Sequence, residues 1–131
     1  GCFAQTSPAV AAIPEVDHVV GLSRLPDLVR AALGELTASE RILVNDLRTA
    51  RRVTTLGAQA FTGQTRAFLK VQEGCDLFCT FCIVPFARGQ SRSVAPREIL
   101  AQLEMLAARG YREVVLTGVH LGGYGADLDP R

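Results

Sequence analysis

The sequence predicts an α/β fold in two pieces. The end of one α/β domain occupies residues 1–36, a linker follows over 37–62, and residues 63–131 open a barrel of parallel strands with its first strand–helix–strand unit. Three observations carry this reading. A β-rich run at Val16–Gly21 leads directly into a helical repeat. An alternating run at Arg66–Gln72 is followed by a strongly patterned helix and a second strand at Arg112–Gly118. Both unusual loops, one rich in cysteine and one in glycine, follow the C-terminal ends of those two strands, where parallel barrels keep their chemistry.

Taken in order, the run "VDHVVG" is short, β-branched and closed by glycine, so it reads as a strand. In "LPDLVRAALG" the residues Leu25, Leu28, Val29, Ala32 and Leu33 recur at helical spacing, with Pro26 suited to the first turn and Gly34 to the stop. Residues 37–65 are polar, threonine-rich and punctuated by glycine, which reads as a linker with room for a short helical or strand piece. In "RAFLKVQ" the residues Ala67, Leu69 and Val71 face one way, and Arg66, Phe68, Lys70 and Gln72 the other. The segment "APREILAQLEMLAARG" is a helix begun by Pro96 and closed by Gly110, with Ile99, Leu100, Leu103 and Leu106 as its buried stripe. "REVVLTG" is the strand after it, expected to lie parallel to the first by a right-handed crossover.

Of the 131 residues, 48% are hydrophobic, enough for a packed core, and the net charge of +1 excludes a uniformly polyanion-binding chain. The charge is nevertheless uneven. Arg41–Arg66 holds five arginines and one acid, Asp46, and Val84–Arg97 holds three arginines and no acid. These stretches either face phosphates or form a solvated basic surface. No run approaches the roughly 18 apolar residues of a membrane span, and no leader pattern is visible, so a cytoplasmic protein with no membrane partner is expected. Four cysteines in a reducing setting favour metal binding over disulfides. The first residue is Gly and the chain stops just after a strand and loop, which reads as an internal piece of a longer protein, inactive alone.

Three cysteines cluster in "EGCDLFCTFCIVPFARGQSRS", at Cys75, Cys79 and Cys82, while the fourth, Cys2, is remote. Thiolates bind zinc or iron–sulfur clusters. A structural zinc takes four ligands in paired motifs, and no second pair follows; His18 and His120 are isolated. Three thiolates on a cubane cluster instead leave one iron open, unlike the four-cysteine clusters of electron transfer.

The segment Cys75-Asp76-Leu77-Phe78-Cys79-Thr80-Phe81-Cys82 resembles the three-cysteine motif of radical S-adenosylmethionine enzymes, down to the aromatic before the last cysteine. The resemblance implies a 4Fe–4S cluster on Cys75, Cys79 and Cys82 and S-adenosylmethionine on the open iron, with Phe81 near the adenine. One-electron cleavage of the sulfonium would then yield a 5′-deoxyadenosyl radical. "GCFAQTSP" and "IPEVDHVVG" resemble the end of the N-terminal domain of methylthiotransferases. That likeness implies a second, auxiliary 4Fe–4S cluster, with Cys2 as one ligand and its partner cysteines upstream. "ARGQSRS" and "VVLTGVHLGGYGADL", including His120 and Tyr124–Gly125, look most like the branch that methylthiolates N6-threonylcarbamoyladenosine beside the anticodon of tRNA.

That branch implies hydrogen abstraction from C2 of the modified adenine, sulfur delivered by way of the auxiliary cluster, a methyl group from a second S-adenosylmethionine, and an electron donor such as a flavodoxin or ferredoxin. The ribosomal-protein and isopentenyladenosine branches are alternatives, as is a zinc or redox-cluster binding module without radical chemistry. Thr117-Gly118-Val119 stands where many relatives carry glycine–glycine–glutamate, which makes Thr117 and Gly118 the candidate cofactor contacts. Arg88 and Arg92 either hold a substrate phosphate or carboxylate or form structural ion pairs near Glu98. His120 is a loop hydrogen-bonder or a proton-transfer group, and Tyr124 stacks on a base or packs.

Overall fold

A computed structural model describes residues 1–54 and 65–129. The chain opens with α1 (Cys2–Thr6) and a single-turn helix at Pro8–Ala12, then enters β1 (Val19–Val20). Helix α2 (Leu25–Ala32) has Pro26 in its first turn, and β2 (Ile42–Leu43) follows. β1 and β2 pair in parallel, Val19 with Ile42 and Val20 with Leu43. β2 is the short strand piece expected within 37–65, and it pairs back onto β1. Residues 55–62 of the expected linker, and the first two residues of the expected barrel segment, lie outside the described residues.

Arg41 stitches this first part together by donating to the carbonyls of Ala11 and Val16, at 2.8 and 3.1 Å. The apolar residues of α2 are not a buried stripe: Leu28, Val29 and Leu33 are exposed. The residue that α2 does bury is Asp27, whose carboxylate accepts from both Arg24 and Arg30. A buried carboxylate stays charged only with such partners.

The second part carries β3 (Arg66–Lys70), β4 (Gln72–Glu73), α3 (Val84–Arg88), β5 (Arg92–Ser93), α4 (Pro96–Ala108) and β6 (Glu113–Thr117). β3 and β6 run parallel over five rungs, Arg66 against Glu113 through Lys70 against Thr117. The strand–helix–strand order therefore closes in parallel, as expected. Immediately after β3 the chain changes partner. Val71 still donates its N–H to the Thr117 carbonyl, but its own carbonyl accepts from Val94 N–H. β4 then pairs antiparallel with β5, Gln72 with Ser93 and Glu73 with Arg92.

The predicted alternation holds on the inner face, where Ala67, Leu69 and Val71 are all buried. On the other face Gln72 departs from it and is fully buried, because the change of partner wraps strand β5 and the loop after β6 around it. The α4 stripe is narrower than predicted. Leu106 is fully buried and Ile99 and Leu103 are half-buried, but Leu100 is 59% exposed. The reason is geometric: strands stand about 4.8 Å apart, whereas a helix with its side chains is about 10 Å across. The two-stranded β3–β6 ladder does not cover the whole stripe.

Leu106→Ala is expected to cost about 2–5 kcal/mol. Leu100→Ala should stay within about 0.5 kcal/mol. Urea unfolding of the two variants checks the ranking, and equal losses would contradict this packing.

Candidate functional site

The cysteine loop is clamped at its base and open at its crown. Gly74 enters it with φ +78°, and a Cβ there would overlap the Gln90 carbonyl, so the position requires glycine. Cys75 N–H donates to the Gly89 carbonyl at 3.1 Å, closing the loop where it begins and ends. Within it, Cys82 N–H donates to the Cys79 carbonyl at 2.9 Å, a turn that folds the second and third cysteines toward each other. Phe78 takes the left-handed conformation at φ 46°, unusual for a bulky residue. Its ring is seated edge-on against Phe86 at 5.8 Å, which helps hold that backbone.

Cys75 is buried, Cys82 half-buried and Cys79 exposed. Phe81 is 90% exposed, and Leu77, Phe78, Ile83 and Phe86 are exposed beside it. Asp76, inside the motif, is committed elsewhere: its carboxylate accepts Ser91 N–H at 3.2 Å. The donor set of the loop is thus three thiols, which fits a three-thiolate iron–sulfur cluster better than a four-ligand zinc. Among the described residues, no three Cys, His, Asp or Glu side chains converge closely enough to hold an ion as they stand.

Beneath the loop lies a buried charge cluster. Glu73 is 4% exposed, and its two carboxylate oxygens accept from Lys70 at 2.5 Å and from Arg88 at 2.6 Å. Burial alone would push this carboxyl up, but the hydrogen bonds from Lys70 and Arg88 outweigh it and hold Glu73 below its ordinary range. Arg88 is held above its ordinary value chiefly by its hydrogen bond to Glu73, with nearby Cys2 contributing less. Helix α1 packs on α3 at this point, so Cys2 comes to the helix that follows Cys82. The partner of Arg88 is Glu73 and not the Glu98 considered from sequence.

Arg92 is 5% exposed and opposite Glu73 in the ladder. It donates to the carbonyls of Arg88 and Leu47, and burial pushes its guanidinium below its ordinary range. Arg88 spends Nη1 on Glu73, and Arg92 spends both Nη atoms on backbone carbonyls while its buried Nε has no partner among the described residues.

Gln72 joins three loops through one side chain. Its amide nitrogen donates to the Gly74 carbonyl at 2.8 Å and to Ser91 Oγ at 3.0 Å, and its oxygen accepts His120 N–H at 2.8 Å. The cysteine loop, the return strand and the glycine-rich loop are thereby fixed relative to each other. Thr117 ends β6, and Gly118 follows with no room for a side chain: a Cβ would stand 2.7 Å from Leu121 Cδ2 and 3.0 Å from Gln72 Cβ. Glycine at 118 thus permits close approach to Gln72. Tyr124 packs, its hydroxyl donating to the Val94 carbonyl at 2.8 Å.

Gln72 and Glu73 escaped the sequence reading. The available signal was two polar residues in the two positions just before the glycine that opens a cysteine loop, where a strand end would otherwise be apolar or solvated.

The radical SAM superfamily model matches residues 69–125, from within β3 through the glycine-rich loop. Across almost the whole chain, 98% of it, the sequence is 48% identical over 134 residues to the threonylcarbamoyladenosine tRNA methylthiotransferase MtaB of Bacillus subtilis strain 168. It is 41% identical to the protein of that name in Aquifex aeolicus, over 97% of the chain. A tRNA-2-methylthio-N(6)-dimethylallyladenosine synthase of Shouchella clausii is 34% identical over 98%. The chain spans 29%, 32% and 25% of the lengths of these three relatives. The superfamily match implies a 4Fe–4S cluster and S-adenosylmethionine.

Two measurements probe the buried polar groups. A carboxyl whose folded pKa lies below its unfolded value, about 4.3 for Glu, adds stability above that value and loses it as pH falls through the folded pKa. The apoprotein's melting temperature should therefore drop below about pH 4.3. Glu73→Gln should lower it at pH 7 and flatten that acid limb. Gln72→Leu leaves the His120 N–H and the Gly74 carbonyl unpaired, at about 1–3 kcal/mol for each group. Amide exchange at His120 should accelerate, and unchanged protection there would show that Gln72 is not the clamp.

Proposed function

The chain belongs to the radical S-adenosylmethionine methylthiotransferases, and on that premise we propose that this protein adds a methylthio group to C2 of N6-threonylcarbamoyladenosine in tRNA. The observation that carries the choice of branch is the 48% identity over 98% of the chain to an enzyme named for that substrate, against 34% to one named for dimethylallyladenosine. In this reading residues 1–36 end the N-terminal domain and 63–131 begin a radical barrel, joined by 37–62.

Cys75, Cys79 and Cys82 would hold one 4Fe–4S cluster, and Cys2 would be one ligand of a second. When bound, the first cluster together with S-adenosylmethionine supplies one-electron cleavage of the cofactor's sulfonium carbon–sulfur bond. The chain's own residues do the holding. Gln72 sets the cysteine loop against the Thr117–Gly118 segment, so that cofactor contacts from both arrive from a fixed frame. The exposed Phe81 ring is available to an adenine, and Leu77, Phe78, Ile83 and Phe86 give the loop an exposed apolar rim beside the thiols. Arg88 and Arg92 are positioning residues. Arg88 ties Glu73 to the segment carrying Cys2, and Arg92 ties α3 to Leu47.

The test uses the full-length protein, reconstituted anaerobically with iron and sulfide and given S-adenosylmethionine, a strong reductant and tRNA carrying threonylcarbamoyladenosine. Nucleoside mass spectrometry should find a methylthio mass gain that Cys79→Ala abolishes. Formation of 5′-deoxyadenosine with that tRNA unchanged would move the substrate to dimethylallyladenosine-type tRNA or a ribosomal protein. Bound zinc and no cofactor cleavage would replace the enzyme reading with a binding module.

A further inference from the structure

The fold sorts the eight arginines of the two basic stretches into two groups. Arg41 is spent on backbone carbonyls, Arg48 pairs with Asp46, Arg66 with Glu113 and Arg88 with Glu73, and Arg92 is buried. The remaining three, Arg51, Arg52 and Arg97, are exposed and have no acidic partner among the described residues. These three, drawn from both stretches, line one cleft of about 360 Å³ beside β5 and the start of α4. Two acids also line it. Asp127 is already committed to Ser93, whose N–H it accepts at 2.8 Å. Burial would raise its pKa, but the Ser93 hydrogen bonds prevail and keep it ionised. That leaves Glu98 as the one uncommitted carboxylate among the described lining residues, against three uncommitted guanidiniums.

We propose that this cleft is a subsite for the sugar–phosphate backbone of the RNA substrate, with Arg51, Arg52 and Arg97 contacting phosphates outside the reacting nucleotide. Guanidinium forks match phosphate oxygens two at a time, and the three guanidiniums outnumber the two carboxylates of the lining, Glu98 and Asp127. Backbone contacts of this kind set register rather than sequence. The cleft is placed to do so: its Ser93 is the rung opposite Gln72, the residue that anchors the cysteine loop. The inference rests on the tRNA reading above, which supplies the polyanion.

The experiment measures tRNA binding by the full-length reconstituted protein, by fluorescence anisotropy at several salt concentrations. It compares wild type, the triple variant Arg51→Gln, Arg52→Gln, Arg97→Gln, and the charge-keeping Arg→Lys triple. The Gln triple should bind at least about tenfold more weakly, and its slope of log affinity against log salt should be shallower by about 2, at roughly 0.7–0.9 per lost phosphate contact. The Lys triple should keep the wild-type slope. Cofactor cleavage without RNA should be unchanged in both, showing that the site itself is intact. If wild type binds tRNA and the Gln triple keeps its affinity and slope, this inference falls and the substrate reading stands. If wild type does not bind tRNA, both fall.

Discussion

A buried carboxylate must be paired, and much of the second half of this structure is arranged around pairing one. Glu73 lies almost out of water at the end of the strand that leads into the cysteine loop. Leaving it uncompensated would cost several kcal/mol, so Lys70 from β3 and Arg88 from α3 are drawn onto it. α3 begins two residues after Cys82, so the ion cluster fixes where the loop must end as well as where it begins. Arg92, across the ladder from Glu73, extends the same constraint to Leu47 through its hydrogen bonds.

That rigid base contrasts with the crown it supports. Cys79 and Phe81 sit in water on a loop whose few internal ties are one turn hydrogen bond and one aromatic contact. Low local contact density is what a segment needs if its thiols are to adjust to a ligand, and a clamped base confines that adjustment to the crown. Gln72 serves the same division of labour by tying the loop's foot to the neighbouring loop, while the residues between Cys75 and Cys82 have few such ties.

How much of this was legible beforehand follows from what each signal measures. Period-two alternation measures which face is apolar, and it located Ala67, Leu69 and Val71 correctly. It is silent on a strand that changes partner, and so Gln72 was assigned to the outer face. Helical periodicity located α4 and Leu106, but periodicity does not report how wide a neighbour is, and Leu100 was left uncovered. Cysteine spacing marked the loop, because thiols at that interval have few other uses. The supporting polar cluster was invisible, because a glutamate reads as surface until its partners are known. Arg88 and Arg92 were singled out as candidates from charge, and the structure commits both of them internally.

The same dependence reaches the first residues of the chain. α1 has five residues, far too few to hold helical structure by itself in water. Among the described residues it packs against α3 and β1, its Gln5 side chain donates to the Asn45 carbonyl and accepts from Leu22 N–H, and its Cys2 neighbours Arg88. Arg88 is itself oriented by Glu73. The strand end places the carboxylate, the carboxylate orients the guanidinium of α3, and α3 is one wall of the seat of α1, with β1 and the Gln5 hydrogen bonds as the other. Cys2 is therefore linked to Glu73 through α3, in addition to its own helix's ties to Asn45 and Leu22. A change at Glu73 would act on both cysteine-bearing segments at once, whereas a change in the exposed crown of the loop would act on one.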